Sequence, residues 1–420
     1  MDNFSFYGGF DYPRPAPWKV YPSLFKDLNV TSSSFYKTIE PIGLANESYY
    51  KGQGKIWNEI ITHNTYDDYW RARNIRPHLK GIKPAVLIVG GWFDAEDLFG
   101  PLHTYQAIEQ LTPGNNCRIL MGPWTHGAWA QNEWTTYANY YFDSNTSEKF
   151  KKIEFDFFEF YLKGKGSFSL PEATVFITGS NEWKSFSNWP PKETEGVSLF
   201  LNDREKLSLS PAKYEIASDE FISDPAKPVP YTDIYKGGRR RTNEYMGADQ
   251  RFASSRPDVL VYQSEVLEDA ITLTGPLGVN LFFSTTGTDA DIVVKLIDVY
   301  PDNAPNPKPN PKGVFMPEMQ QLVRADVLRG KFRNSLEQPE PFIPNQVTEV
   351  KFTLNDIGHT FKKGHRMMVQ IQSSWFPLVD LNPQKFIDIA KATRADFQKT
   401  THRIYTGQKY PSRISVLKLK

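Results

Sequence analysis

Asp94 and His126 are the residues of this 420-residue chain whose types and settings best suit chemistry. Each follows a short apolar run closed by glycine: Ala85 to Val89 stops at Gly90-Gly91 just before Asp94, and Cys117 to Met121 stops at Gly122-Pro123 just before His126. A carboxylate beside an imidazole fixes its tautomer and steadies the imidazolium, which lets the ring take a proton from a nucleophile. Acid before base in chain order suits the last two members of a hydrolase triad. The nucleophile itself is not marked. The chain holds no G-x-S-x-G and, with Cys117 its sole cysteine, no G-x-C-x-G. Nor does Asp94 sit at a nucleophile elbow, because Trp92 and Glu96 occupy the flanking positions where a sharp turn wants glycine.

The elements that must position the pair are legible around it. Ala85 to Val89 is a continuous apolar run, the signature of a strand buried on both faces. Pro101 opens a segment with Leu102, Tyr105, Ala107, Ile108 and Leu111 at helical spacing, closed by Pro113-Gly114, and Cys117 to Met121 is a second apolar strand. Strand, helix and strand form a right-handed crossover whose strand ends share one side of the sheet, where open α/β sheets bind ligands. The expectation is an Asp94 to His126 hydrogen bond at roughly 2.6–3.2 Å.

The phrases GGWFDAEDLFGP and MGPWTHGAW resemble the acid and histidine motifs of the CocE/NonD family of serine hydrolases, which spans X-Pro dipeptidyl-peptidases, α-amino-acid ester hydrolases and glutaryl-cephalosporin acylases. The resemblance covers nearly the whole chain. It implies an α/β plus β fold: a helical cap region over residues 1–73, the C-terminal part of an α/β-hydrolase domain over 74–166, and a jelly-roll β-sandwich over 167–420. It implies that Asp94 is the triad acid and His126 the triad base, acting on an ester, amide or peptide substrate. It also implies that the serine elbow lies in a missing N-terminal segment, so that this chain alone is inactive. Some relatives hold a substrate ammonium with a carboxylate cluster. Asp67-Asp68 and Glu96-Asp97 are acids that could take such a role, although helix N-terminal acids or solvated charges are the stronger reading of them. Trp92, Trp124, Asp97 and Asp67 are the candidate substrate-binding residues.

A formal charge of +1 with 23% charged residues argues against nucleic acid as the main partner. No apolar run reaches the roughly 18 residues of a membrane span. The start, Met1-Asp2-Asn3-Phe4, lacks the regions of a signal peptide; relatives are often exported, and the compartment is left open, as is homo-oligomer formation. No cofactor is called for. A metal reading of Asp94, Asp97, His103 and His126 matches no established ligand spacing, and Cys117 in its apolar strand reads as a small buried hydrophobe.

Elsewhere, the N-terminal stretch from Phe4 to Pro17 is rich in aromatics and prolines. Ile56, Trp57, Ile60 and Ile61 mark a helical face between Tyr49 and Arg73. A helix capped by Asn145 or Ser147 carries Phe150, Ile153, Phe157 and Tyr161, widened by Phe155, Phe158 and Phe160, and ends at Gly164. From Pro171 onward β-branched runs recur, including Thr174 to Thr178, Val197 to Leu201, Val279 to Ser284, Ile292 to Val299 and Met367 to Gln372, which predict a two-sheet antiparallel sandwich. Trp183, Phe186 and Trp189 predict a fixed contact between this sandwich and the α/β part. Arg239-Arg240-Arg241 reads as a solvated loop and Pro301 to Pro311 as a loop. With only two clear parallel strands, one strand edge and an apolar face are expected to be uncovered, leaving the isolated chain marginal or aggregation-prone. The other reading, a non-catalytic β-sandwich binding module for carbohydrate or peptide, has no use for the Asp94 and His126 pair.

Overall fold

The computed structural model of the protein describes residues 32–233, 241–308, 310 and 313–420. The aromatic stretch before residue 32, Arg239 and Arg240 lie outside them. Three short helices come first: α1 (Ser32–Thr38), α2 (Lys55–Thr62) and α3 (Asp68–Arg71). Phe35, Tyr36, Ile39 and Trp57 pack here on Phe376 and Leu381 from far along the chain.

The crossover forms as its sequence predicts. β1 (Val86–Gly91), α4 (Phe99–Leu111) and β2 (Cys117–Gly122) follow in order, and β1 pairs with β2 in parallel from Val86 opposite Cys117 to Gly91 opposite Gly122. After a two-stranded hairpin of β3 (Thr136–Tyr137) and β4 (Tyr140–Tyr141) comes α5 (Thr146–Lys163), which ends at Gly164 in the left-handed conformation. Phe150 and Phe157 face inward, whereas Phe155, Phe158 and Leu162 are exposed, so the broad apolar face of α5 is covered on one side only.

The run Thr174 to Thr178, expected in the sandwich, belongs to the parallel sheet instead. β5 (Ala173–Ile177) pairs in parallel with β2, and β6 (Glu182–Phe186) adds antiparallel to β5, giving the order β1-β2-β5-β6. The cause is α5, which serves as a second crossover and delivers the chain back beside β2. β2 and β5 are almost wholly buried. β1 is only half-buried from Val86 to Val89, and no strand among the described residues pairs with its other edge.

The remaining strands are β7 (Thr194–Asn202), β8 (Lys206–Ser208), β9 (Ala217–Ser223), β10 (Leu260–Gln263), β11 (Ile271–Thr285), β12 (Asp291–Val299), β13 (Gln320–Arg329), β14 (Thr348–Phe361), β15 (Arg366–Gln372), β16 (Thr400–Thr406) and β17 (Arg413–Leu419). Where two separate sheets were expected, hydrogen bonds link all eleven into one system. The fifteen-residue β11 is the reason: it is irregular near Gly275 and pairs with β14, β16 and β17. Leu281, Phe283, Ile292, Val294, Val350, Val369 and Ile404 from five of these strands share one core. The expected fixed contact with the parallel sheet is present. Thr178 exchanges backbone hydrogen bonds with Gly358 and Thr360 at 2.9 and 2.8 Å, and Trp189 Nε1 donates to Asp356 Oδ2 at 2.7 Å.

His402, fully buried on β16, gives this core a pH limit. Its ring lies between those of Phe221 and Phe283, its Nδ1 has no partner among the described residues, and burial pushes its pKa down to about 3. An imidazole that charges in the unfolded chain near pH 6.5 but resists charging when folded contributes stability that is present above that pH and is lost as pH falls toward 3. We expect His402→Leu to flatten the decline in denaturation midpoint between pH 6.5 and 3. An unchanged slope would remove His402 as its cause.

Candidate active site

β1 and β2 continue to hold each other beyond their ends. Trp92 N donates to Gly122 O at 2.9 Å and Phe93 N to Trp124 O at 3.0 Å, which draws the two following loops together. Asp94, 1% exposed, then has both oxygens engaged: Oδ1 accepts from the backbone N–H of Glu96 and of Asp97, each at 2.9 Å, and Oδ2 faces His126 Nδ1 at 3.1 Å. A nitrogen turned to a carboxylate carries the proton, so the lone pair of a neutral ring resides on Nε2. His126 is half-exposed, and its Nε2 has no partner among the described residues. A second carboxylate, Asp97 Oδ2, stands 3.8 Å from the same Nδ1. The pair is therefore a fixed carboxylate behind an imidazole whose second nitrogen is open.

Gly91 makes this approach possible. A Cβ built on it would stand 2.2 Å from the carbonyl oxygen of Trp124, a backbone atom with no room to yield. Gly91→Ala is expected to push the acid and histidine loops apart, costing about 1–3 kcal/mol in chemical denaturation. A variant as stable as the parent would show the loops to be looser than this contact implies.

Residues 32–128 match the family described as X-Pro dipeptidyl-peptidase (S15 family), and residues 166–415 match the X-Pro dipeptidyl-peptidase C-terminal non-catalytic domain. An α-amino acid ester hydrolase structure superposes with a TM-score of 0.90 at 30% identity, over 99% of this chain and 68% of that one. The chain belongs to the CocE/NonD family of hydrolases. An aminopeptidase from a marine sediment Thaumarchaeota archaeon gives a TM-score of 0.88 at 32% identity, covering 96% of this chain and 66% of the other. The cocaine esterase of Rhodococcus sp. (strain MB1 Bresler) is 27% identical over 86% of this CocE/NonD chain, which spans 60% of that esterase's length.

Within this family member, the other residues singled out by sequence fall in different places. Trp92 and Trp124 lie beneath the two loops rather than at their surface. Both are almost fully buried; the indole N–H of Trp92 donates to Phe176 O at 2.6 Å, and that of Trp124 to Thr146 Oγ1 at 3.0 Å. They brace the two loops from beneath. Asp67 caps α3 through Tyr69 N at 3.0 Å and contacts His63 Nδ1 at 2.6 Å. The His63 hydrogen bond lowers its pKa, and none of its contacts reaches the Asp94 or His126 loops. His103 stacks on Phe99, and burial, with Arg76 nearby, lowers its pKa. Among the described residues no group of three or more His, Cys, Asp or Glu side chains is placed to hold a metal.

Two contributors were not read from the sequence. Arg241, taken as part of a solvated triplet, is 9% exposed and donates to Glu96 Oε1 at 2.8 Å, pinning the acid loop from outside. Arg324 on β13 donates from Nη1 to the carbonyl of Trp92 at 3.1 Å, so the large β-sheet system also grips that loop. Arginine pairs between segments this distant leave no trace in local spacing.

Proposed function

We propose that this chain is the acid and base portion of a serine hydrolase that cleaves ester or amide bonds, of the acyl or X-Pro dipeptidyl type, through a Ser-His-Asp triad. The observation that carries the reading is the Asp94 to His126 hydrogen bond, with Nε2 of His126 unpartnered among the described residues. His126 Nε2 takes the proton from the serine hydroxyl as its oxygen attacks the carbonyl carbon. The resulting imidazolium, steadied by Asp94, returns the proton to the leaving alcohol or amine, and water repeats the sequence to free the acid and the serine. Asp97, at the rim, is the residue placed to meet a cationic group of the substrate.

The serine comes from an N-terminal segment that lies against the free edge of β1. The half-buried face of β1, and an outer edge with which no strand among the described residues pairs, support this, since strands of a parallel sheet are ordinarily covered on both sides and flanked. The large β-sheet system walls and braces the site.

A nitrophenyl-ester assay tests the reading. The 420-residue chain alone is expected to show no turnover above an Asp94→Asn, His126→Ala control, and addition of the segment encoded immediately upstream is expected to restore it. Robust hydrolysis by the chain alone, abolished by mutating one of its own serines, would overturn the assignment.

A further inference from the structure

Lys295, in the middle of β12, is 0% exposed, a rare place for a lysine. Its Nζ donates to Gln250 Oε1 at 2.9 Å and lies 5.9 Å from the centre of the Phe252 ring, and no carboxylate meets it among the described residues. An ammonium carries three donors and a full charge, and one neutral amide oxygen leaves most of that cost unmet. A neutral amine in the same place is tolerated far better.

The groups around it come from three sides. Ala325 on β13 and Gln370 on β15 are its cross-strand neighbours, and Gln250, itself 0% exposed, closes a third side. The charged residues flanking these are Arg324 and Asp326 beside Ala325, and Asp249, paired with Arg251 at 2.7 Å, beside Gln250. Farther along β12, Asp298 is engaged by His359 and His365. None of them shifts Lys295; burial alone pushes its pKa down to about 7.

Gln250 belongs to a segment that reaches the candidate active site. Its backbone N–H donates to Gln320 O at 2.8 Å and its side-chain NH2 to Ala248 O at 3.0 Å. Upstream, the same segment carries Asn243, whose carbonyl accepts from Tyr137 Oη at 2.8 Å, and Arg241, which holds Glu96. Seating Gln250 over Lys295 therefore helps to seat Arg241 against the acid loop.

We propose that Lys295 is a proton-operated latch on the segment from Arg241 to Ser254. As an amine it keeps Gln250 seated; as an ammonium it gains from the water that opening admits, and opening draws Arg241 away from Glu96. In the open form Lys295 takes the ordinary lysine pKa near 10.4. Opening thus takes up one proton between about pH 7 and about pH 10, so the latch tightens as pH rises through that window and is loosest below it. The inference concerns the fold of this chain and is independent of the hydrolase reading.

Backbone hydrogen exchange of the full chain, each rate divided by its intrinsic chemical rate, tests this. The opening constant at the amides of Gln250, Ala253 and Ser254 is expected to fall about fiftyfold from pH 7.5 to 9.5. Those of the Glu96 and Asp97 amides, which donate to Asp94, should follow it. Low urea should leave these openings almost unchanged, since a local opening exposes little surface. Lys295→Gln, which keeps a donor for Gln250 but cannot titrate, and Lys295→Met should each abolish the fall at every position. Arg241→Gln should abolish it at Glu96 and Asp97 alone. A parent without the fall, openings as urea-sensitive as global unfolding, or a fall that survives both Lys295 variants would overturn the latch. Glu96 and Asp97 amides that do not follow Gln250 would overturn its link to the acid loop.

Discussion

Asp94→Asn, made in the chain joined to its serine-bearing segment, is expected to lower kcat by about four orders of magnitude, and His126→Ala by at least as much. The asparagine can keep its oxygen toward the amides of Glu96 and Asp97, which now engage Oδ1 at 2.9 Å each. Its NH2 group then faces His126 Nδ1 where a carboxylate oxygen stood. Nδ1 must become the acceptor, the ring proton moves to Nε2, and the base has lost the lone pair that would receive the serine proton. The fold is untouched, so KM and the denaturation midpoint should barely change. Asp97, whose Oδ2 is 3.8 Å from the same nitrogen, is the residue able to soften the loss. If Asp94→Asn retains a tenth of the activity and the double variant with Asp97→Asn does not, the two acids share the role.

The largest expected effect on stability lies away from the site, at Arg329. Its guanidinium forks onto Asp291 at 2.9 and 3.0 Å and onto Asp380 at 3.2 Å through both carboxylate oxygens. Burial opposes its charge, yet Asp291 and Asp380 hold its pKa well above the ordinary value. Removing one partner of a buried ion pair leaves the other charge uncompensated, which costs about 3–5 kcal/mol. Here two carboxylates, Asp291 and Asp380, would be stranded. Arg329→Met should therefore lose about 3–5 kcal/mol in urea denaturation at pH 7. The deficit should shrink toward pH 4 as the stranded carboxylates take up protons, because the folded variant then binds protons more tightly than its unfolded chain. A loss below about 1 kcal/mol would place Arg329 with ordinary surface pairs.

Much of the site was legible because its two halves are local. A continuous apolar run, a glycine stop and an acid or histidine a few residues on were enough to place Asp94 and His126 together, since crossover handedness leaves one arrangement. β5 was misplaced because Thr174 to Thr178 is as β-branched as any sandwich strand. What distinguishes it is the eighteen-residue α5 before it, which makes it the third member of a parallel series. β13 was not seen at all: its sequence QQLVRADVLR mixes charge with apolar residues because Arg324 and Arg329 spend their charges inside, on Trp92 and on two aspartates. Trp92 and Trp124 misled through their type. A tryptophan near a catalytic loop suggests ring contact with substrate, whereas here each ring is consumed by packing and its N–H by an internal acceptor. Arg241 shows the converse, an arginine in a basic run that pins the acid loop.

The measurement that tests the central claim most directly is covalent labelling with a fluorophosphonate, which reports an activated serine before any substrate is known. In the chain joined to its upstream segment, the expected result is one modified serine, located by mass spectrometry in that segment, with a labelling rate that collapses in His126→Ala and falls with Asp94→Asn. Labelling of a serine within the 420 residues, or labelling at an unchanged rate when His126 is alanine, would contradict it.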